Sequence, residues 1–323
     1  VTAPWLTYRE DLQVLDCTVR DGGLTCGHHF DDEFVRALYE ANVAAGVDWM
    51  EIGYKGSKSV FSRDEFGPWK FSDEEDIRRV IPENDTNLKL CVMADAGKTD
   101  WQTDIIPADQ SILDMIRVAF YAHQLSEAVE MINDAHEKGY TVCANLMAAS
   151  TNTETEIEQV LEEVAKSPSS YMAVVDSFGS LYGEQIQLMM KQYRAHMDPV
   201  NKGIAVHMHN NQQLAFANTI ETIIQGAQSV DATIGGLGRG AGNCPMELLL
   251  GFLRNPKFHL RPIFEFLEKH VQPMEGRCDW GPSAQYFITG QLNLHPKEAI
   301  AARENEAERG KIVEFYDRMI RDM

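Results

Sequence analysis

Short apolar runs alternate with segments of helical periodicity along most of the chain. Eight runs read as strands: Val14–Arg20, Asp48–Tyr54, Lys89–Ala94, Met115–Tyr121, Thr141–Ala148, Tyr171–Ser177, Ile204–His209 and Ser229–Ile234. Most are continuous apolar stretches rather than apolar/polar alternations, the pattern of strands covered by helices. Between them, Asp32–Ala45 places Phe34, Leu38, Ala41 and Ala45 at helical spacing and meets a stop at Gly46. Leu125–Lys138 ends at Gly139, and Thr153–Lys166 is acidic on its outer face. Glu184–His196 and Gln213–Gln225 follow, the second ending at Gly226. Eight strands with helices in nearly every gap predict an α/β fold, a (β/α)8 TIM barrel. A doubly wound sheet fits less well, because no GxGxxG opens a helix after the first strand.

Two gaps are long and irregular. Gly56–Ser72 carries Phe61, Phe66, Trp69 and Phe71, and Gly97–Asp109 follows the third strand. Long loops on the carboxyl side of barrel strands often cover a site, so both are lid candidates. The strand/helix alternation stops near Asn255–Pro256. Beyond it, Pro262–His270, Ser283–Leu292 and Lys297–Met319 read as helices. The expected organisation is a catalytic barrel over 1–255 and a helical C-terminal extension over 256–323.

Composition narrows the possible partners. The 323 residues include 29 Lys+Arg and 49 Asp+Glu, for a formal charge of −20. This argues against a broad nucleic-acid surface and against docking on an anionic membrane. It leaves room for a small anion, since a local site can oppose the overall field. Hydrophobic residues at 44% and charged residues at 24% fit a globular domain. The six cysteines are scattered with no CxxC pair, which favours a reduced, cytoplasmic protein over a disulfide scaffold. The N-terminal VTAPWLTYRE has no apolar core for a signal peptide, and without an initiating Met it reads as a truncated start. No apolar run approaches the ~20 residues of a membrane span.

Three clusters fall at the carboxyl ends of predicted strands, where barrel chemistry is expected. Asp16-Cys17-Thr18-Val19-Arg20-Asp21-Gly22-Gly23 closes the first strand. Charges this close to a strand interior pair with one another or bind something. His207-Met208-His209 closes the seventh strand, and residues i and i+2 of a strand share a face, so both imidazoles aim into the barrel mouth. Gly235–Pro245, GGLGRGAGNCP, follows the eighth strand; it is either a close-approach loop for a ligand or a flexible turn. Asp21, His207 and His209 suit a divalent cation that keeps open positions for water and a bidentate substrate. Glu51, Asn145 and Asp176 are further polar residues on strands. Glu51 and Asp176 read as orienting groups for substrate or ligands, Asn145 as barrel hydrogen bonding. Cys244 reads as a buried, inert thiol.

The stretches LDCTVRDGG, EIGYK, VVDSFG, HMHNN and GLGRGAGNCPMEL, in this order over roughly residues 14–250, resemble the DRE-TIM metallolyases, the superfamily of 3-hydroxy-3-methylglutaryl-CoA lyase. Within it, VVDSFGSL and GLGRGAGNCPMEL are most similar to the 4-hydroxy-2-oxovalerate aldolases. The resemblance implies that Asp21, His207 and His209 ligate a divalent metal, Mn²⁺ first, with Mg²⁺ or Co²⁺ as alternatives. It implies that Asn243 lies by the metal, that Arg20 stabilises an enolate oxygen, and that a tyrosine of the C-terminal part reaches the site, Tyr286 being the nearest match. The implied reaction is cleavage of an anionic 4-hydroxy-2-oxo acid to pyruvate or a homologue plus an aldehyde. The implied partner is an acylating aldehyde dehydrogenase, or a second copy, docked through the C-terminal helices. One departure stands out: the aldolases carry a catalytic His three positions after the metal Asp, and here that position is Leu24. His28 and His29 are the nearby candidates for the base. The alternatives are an acyl-CoA-dependent condensing enzyme or lyase of the same superfamily, and a non-catalytic partner subunit.

Overall fold

The computed structural model describes residues 9–321, so most of the N-terminal stretch weighed as a leader, residues 1–8, lies outside the described residues. Eight parallel strands, β1 (Gln13–Asp16), β2 (Trp49–Tyr54), β3 (Lys89–Asp95), β4 (Met115–Phe120), β5 (Thr141–Leu146), β6 (Tyr171–Asp176), β7 (Gly203–Met208) and β8 (Ser229–Ala232), close into a barrel. Each pairs with the next, and β1 completes the ring against β8. The strands read as continuous apolar runs because both of their faces are covered. Outward residues such as Met50, Ile52, Val92, Val118 and Val206 pack beneath the helices. Inward residues Leu15, Trp49, Cys91, Met115, Cys143, Ala173 and Ala205 fill the lower barrel. Among the described residues, no helix is long and apolar enough to cross a membrane.

The predicted strands and helices recur within a residue or two, with three exceptions, one of them Pro262–His270, which is an α-helix over Leu260–Phe266 followed by a π-helical turn over Leu267–Val271. The first strand stops at Asp16, short of Arg20. The Asp16 carboxylate accepts the Thr18 backbone N–H at 3.2 Å and its hydroxyl at 2.5 Å, and also the Asn42 amide at 2.8 Å. That side-chain capture turns the chain into a helical turn, Thr18–Gly22. The predicted helix Lys297–Met319 is two helices, Lys297–Glu304 and Ile312–Arg321. Asn305 lies between them and accepts the Ala307 N–H, a local turn that competes with helix continuation.

Strand β2 is irregular. Its register against β3 runs Glu51↔Cys91 and then Tyr54↔Met93, so three steps on β2 match two on β3. The extra residue makes a bulge. Gly53 lies in it with φ +151°, and a Cβ there would fall 2.1 Å from the Trp69 carbonyl oxygen.

After β8 and helix Met246–Leu253, the helix Leu260–Phe266 packs on the outer barrel helix Asp32–Ala45, with Phe34 and Phe266 edge to face at 5.1 Å. The later helices build a small core of their own from Tyr286, Ile288, Ala299, Ala302, Phe315 and Met319, joined by Ala241 of the glycine loop. This part of the chain is fastened across the carboxyl face of the barrel. The Asn293 side-chain oxygen accepts the hydroxyls of Ser150 and Ser180 at 2.7 and 2.8 Å, and its amide donates to the Ser150 carbonyl at 2.9 Å.

Asn293→Ala removes all three bonds and strands the Ser150 carbonyl. It is expected to cost about 1–3 kcal/mol in denaturant unfolding, with faster amide hydrogen exchange in the helices beyond residue 283 and unchanged exchange in β3–β6.

Candidate metal centre and active site

The turn after Asp16 brings Arg20 and Asp21, both buried, to the top of the barrel. His207 and His209 point inward from β7 and its end. The His207 Nε2 lies 3.3 Å from Asp21 Oδ2, and the His209 Nε2 lies 3.9 Å from the same oxygen. The ligand atoms of Asp21, His207 and His209 lie within 4.8 Å of one another. The glycine loop delivers Asn243 alongside. A backbone bridge joins His209 to Asn243, and Gly242, at φ +82°, lets the loop pass where a Cβ would fall 2.0 Å from the Gly236 carbonyl oxygen. A Cβ on Gly238 would fall 2.7 Å from Asp21 Oδ1 and 2.1 Å from Asn243 Nδ2, so that glycine is a condition of the site's packing.

Several buried polar atoms here have no hydrogen-bond partner: His207 Nε2, both side-chain polar atoms of Asn243, and Arg20 Nη2. Unpartnered buried polar atoms are costly and uncommon. Of these, His207 Nε2 and Asn243 Oδ1 carry lone pairs, and with His209 they gather around the Asp21 carboxylate as a donor set that fits a divalent cation, whereas Arg20 Nη2 is an N–H donor left for an anionic group.

Asp21 and His207 are oriented by a closed circuit of buried charges. Arg20 Nη1 donates to Asp21 Oδ2 at 2.5 Å, and Arg20 Nε donates to Glu51 Oε2 at 2.7 Å. Arg117 donates to the same Glu51 oxygen at 3.0 Å and to Asp231 Oδ2 at 2.6 Å. Asp231 in turn accepts from His207 Nδ1 at 3.0 Å. Burial acts to raise the Asp231 carboxyl, but Arg117 and His207 outweigh it and hold the group below its ordinary value. Ionised Asp231 can only accept, so a proton stays on His207 Nδ1; burial acts to lower this imidazole, but Asp21 and Asp231 outweigh it and raise it, so a cation at Nε2 would take the place of a second proton. At Asp21, burial is likewise outweighed, by Arg20, His209 and His207, and the carboxyl is held well below its usual range. Burial pushes the His209 imidazole well down, keeping it neutral. Cys17, His207 and Asp231 form a second close trio, but burial raises the Cys17 thiol well above its ordinary value, and Asp231 already uses His207 Nδ1. The trio that faces the mouth is Asp21, His207 and His209.

The cavity over this centre is narrow, about 70 Å³, and is lined by Arg20, Asp21, His207 and His209 together with Tyr54, Tyr121, Arg239 and His295. Leu24 and Arg239 also line a second, larger chamber of about 990 Å³ between the glycine loop and the C-terminal helices. Leu24, 38% exposed, therefore stands between the two spaces.

The remaining sequence-derived candidates are dispersed. Glu51 sits mid-strand rather than at a strand end and serves the charge circuit. Asp176 accepts the Ser180 and Leu181 N–H groups, capping the loop after β6, and burial raises it to about 6. Tyr286 lines the outer chamber and donates to Asp279 at 3.0 Å. His28 is buried edge-on to Tyr54, with ring centroids 5.4 Å apart. His29 pairs with the Glu65 carbonyl at the surface. Of the two lid candidates, neither lines the inner cavity. Gly97–Asp109 lies back against Lys138 and Tyr140, whereas Gly56–Ser72 tucks Lys70 against the ring of Tyr54. Asn145 accepts from Arg117 inside the barrel, and the Cys244 thiol is buried and raised to about 12.

Arg117, Asp231, Tyr54 and His295 went unread in the sequence. For Arg117 and Asp231 a signal existed: each is a lone charge in the middle of an apolar strand, a position that demands a partner.

An eight-stranded barrel with this mouth defines a class, and the chain belongs to the HMGL-like family, whose pattern matches residues 11–261. Among curated relatives, it is 28% identical over 259 residues to the oxaloacetate decarboxylase of Mycobacterium tuberculosis, covering 80% of this chain and 74% of that one. It is 26% identical over 251 residues to the 4-hydroxy-2-oxovalerate aldolase of Pelotomaculum thermopropionicum, covering 77% and 72%. Its fold matches the crystal structure of the N-terminal domain of a Bacteroides vulgatus protein with a TM-score of 0.77 at 25% identity, over 92% of this chain and 98% of the other.

Asp231→Asn is expected to weaken binding of a divalent cation by about 10–100-fold in calorimetric titration, because the His207 tautomer is no longer imposed. A pH effect follows from His28. Burial, aided by Lys70 and Arg20, pushes its imidazole down to about 3. Below about pH 6.5 the unfolded chain takes up a proton that folded His28 refuses, so stability falls as pH falls through the window from 6.5 towards 3. The stability lost between pH 7 and pH 5 is expected to be smaller in His28→Gln than in the parent by about 2 kcal/mol in denaturant unfolding.

Proposed function

We propose that this protein is a divalent-metal-dependent carbon–carbon lyase that cleaves a 4-hydroxy-2-oxo acid into pyruvate, or a homologue, and an aldehyde. The observation that carries this reading is the arrangement of the unpartnered His207 Nε2 and Asn243 side-chain oxygen beside Asp21, with Arg20, whose Nη2 is also unpartnered, lining the cavity over Asp21 and His207. Asp21, His207 and His209 would hold the cation, with Asn243 beside it; Mn²⁺ is the first choice, and Mg²⁺ or Co²⁺ would serve. When bound, the cation supplies Lewis-acid polarisation of the substrate's 2-oxo group. Arg20 donates to the oxygen on which enolate charge develops, and Glu51 and Asp21 fix its guanidinium so that no reorganisation is needed at that moment. The relatives named aldolase and decarboxylase support the lyase class.

A second reading, decarboxylation of oxaloacetate, has a specific observation behind it. Aldol cleavage requires a base for the 4-hydroxyl proton. Leu24 occupies the position where the aldolases place theirs, and His28 and His29 lie outside the inner cavity. Loss of CO2 yields the same pyruvate enolate with no hydroxyl proton to remove, so besides the residues that would hold the cation it asks only for Arg20 at the enolate oxygen.

The division at residue 255 into barrel and extension belongs to this reading. An aldehyde dehydrogenase or a second copy would dock on the last helix, where Ile312, Val313, Tyr316 and Ile320 are exposed.

The test is pyruvate release by the Mn²⁺-loaded protein from oxaloacetate and from a panel of 4-hydroxy-2-oxo acids. Arg20→Lys is expected to lower kcat by about 100–1,000-fold, the effect typical of a lost oxyanion donor. Absence of pyruvate from every substrate, with Mn²⁺ bound, would sink the proposal; thiol release from acetyl-CoA with a 2-oxo acid would replace it with the acyl-CoA reading.

A further inference from the structure

In a regular strand, Glu51 and Tyr54 lie an odd number of residues apart and face opposite sides of the sheet. The bulge at Gly53 cancels that parity, so Glu51 lies inside the barrel and Tyr54 lines its mouth. Bulges of this kind re-aim side chains next to active sites. The surroundings of Tyr54 are equally particular. The Lys70 ammonium lies 4.4 Å from the centroid of its ring and 4.0 Å from that of Phe61, the Arg20 guanidinium lies 5.9 Å away, and the neutral His28 ring meets its edge. Lys70 is buried, its ammonium held by aromatic faces. Among the described residues, the Tyr54 hydroxyl has no hydrogen-bond partner. The phenol therefore presents a free O–H to the cavity next to Arg20, with two cations close to its ring.

With the lyase reading as its basis, we infer that Tyr54 is a catalytic residue, the general acid that protonates C3 of the enolate left by C–C cleavage. The Tyr54 O–H bond breaks and its proton goes to C3. The C2–C3 π pair becomes the new C–H bond, while the oxygen held by Arg20 reforms the 2-oxo group. The O–H pair stays on Tyr54 as phenolate, beside Lys70, until solvent water returns a proton through the mouth. In aldol cleavage the proton given up by the 4-hydroxyl balances this uptake; in decarboxylation one proton is consumed per CO2. Burial keeps the resting phenol protonated, as an acid requires. Lys70, which burial lowers to about 8, is the positioning residue that favours the phenolate. Tyr121 also lines the cavity, but its ring stacks on His123.

The test uses 3-methyl-oxaloacetate in D2O with the Mn²⁺-loaded wild type and Tyr54→Phe, reading kcat, oxalate affinity and the C3 configuration of the deuterated 2-oxobutanoate. Wild type is expected to give one configuration. Tyr54→Phe is expected to give both in similar amounts, with kcat lowered about 100-fold or more and oxalate affinity unchanged. A merely structural role would not randomise the face of protonation. Lys70→Met keeps the hydroxyl and is expected to keep one configuration at a kcat roughly 10-fold lower; if Tyr54→Phe does not fold, an unchanged kcat in Lys70→Met overturns the inference. Retention of one configuration by Tyr54→Phe, or a racemic product from wild type, overturns it directly. If wild type releases neither CO2 here nor pyruvate from any 4-hydroxy-2-oxo acid, the lyase reading itself falls, and this inference with it.

Discussion

The buried circuit from Asp21 through Arg20, Glu51, Arg117 and Asp231 to His207 and back to Asp21 is the interaction on which the rest of the site depends. It draws on the turn after β1 and on strands β2, β4, β7 and β8, so it braces the barrel across its interior. Such circuits are weak sources of stability, because desolvating the charges offsets much of their attraction. Breaking one is another matter, since a buried charge left alone costs about 3–5 kcal/mol. What the circuit secures is direction: the His207 tautomer, the angle of the Arg20 guanidinium and the position of Asp21 are all set by it. With His207 neutral, three carboxylates face two guanidinium groups, a local charge of −1. A divalent cation would turn that into +1, matched to an anionic substrate within a chain of overall charge −20.

The C-terminal helices complete the site rather than merely follow it. Asn293 fastens them to the loops after β5 and β6, and that anchorage brings His295 to the cavity wall. His295 accepts the Lys297 N–H on Nδ1, and its other nitrogen lies 3.4 Å from Arg239, which itself donates its backbone N–H to Asp21. The extension is thus linked to the carboxylate at the centre through two residues.

Much of this was legible in the sequence, for identifiable reasons. The barrel shows through because each strand is buried on both faces and each helix on one. Asp21, His207 and His209 show through because turn glycines and i, i+2 spacing are local rules. Arg20 does so because a charge at a strand end asks for a partner. The first strand was overextended because Asp16 stops it with a side-chain hydrogen bond that hydropathy does not register. The roles of Glu51, Arg117 and Asp231 depend on which strands face one another across the barrel, which no local pattern encodes. Tyr286 is the nearest sequence match for a tyrosine in the site, but its hydroxyl is committed to Asp279 in the outer chamber.

The bulge in β2 has a wider meaning. An eight-stranded barrel lends its interior only every other side chain of each strand, so the number of groups that can look into a shared space is limited by pleat geometry. One supernumerary residue lifts that limit for a single strand. It advances the phase of everything after it, handing the mouth a ring that the alternation would have sent into the helical shell, while the lower half of the strand keeps its place in the core. Gly53 tolerates this because it has no side chain to collide with the Trp69 carbonyl. Any larger residue there would move the Trp69 segment or straighten the strand, and either change would rewrite the inner surface of the barrel without touching Asp21, His207 or His209.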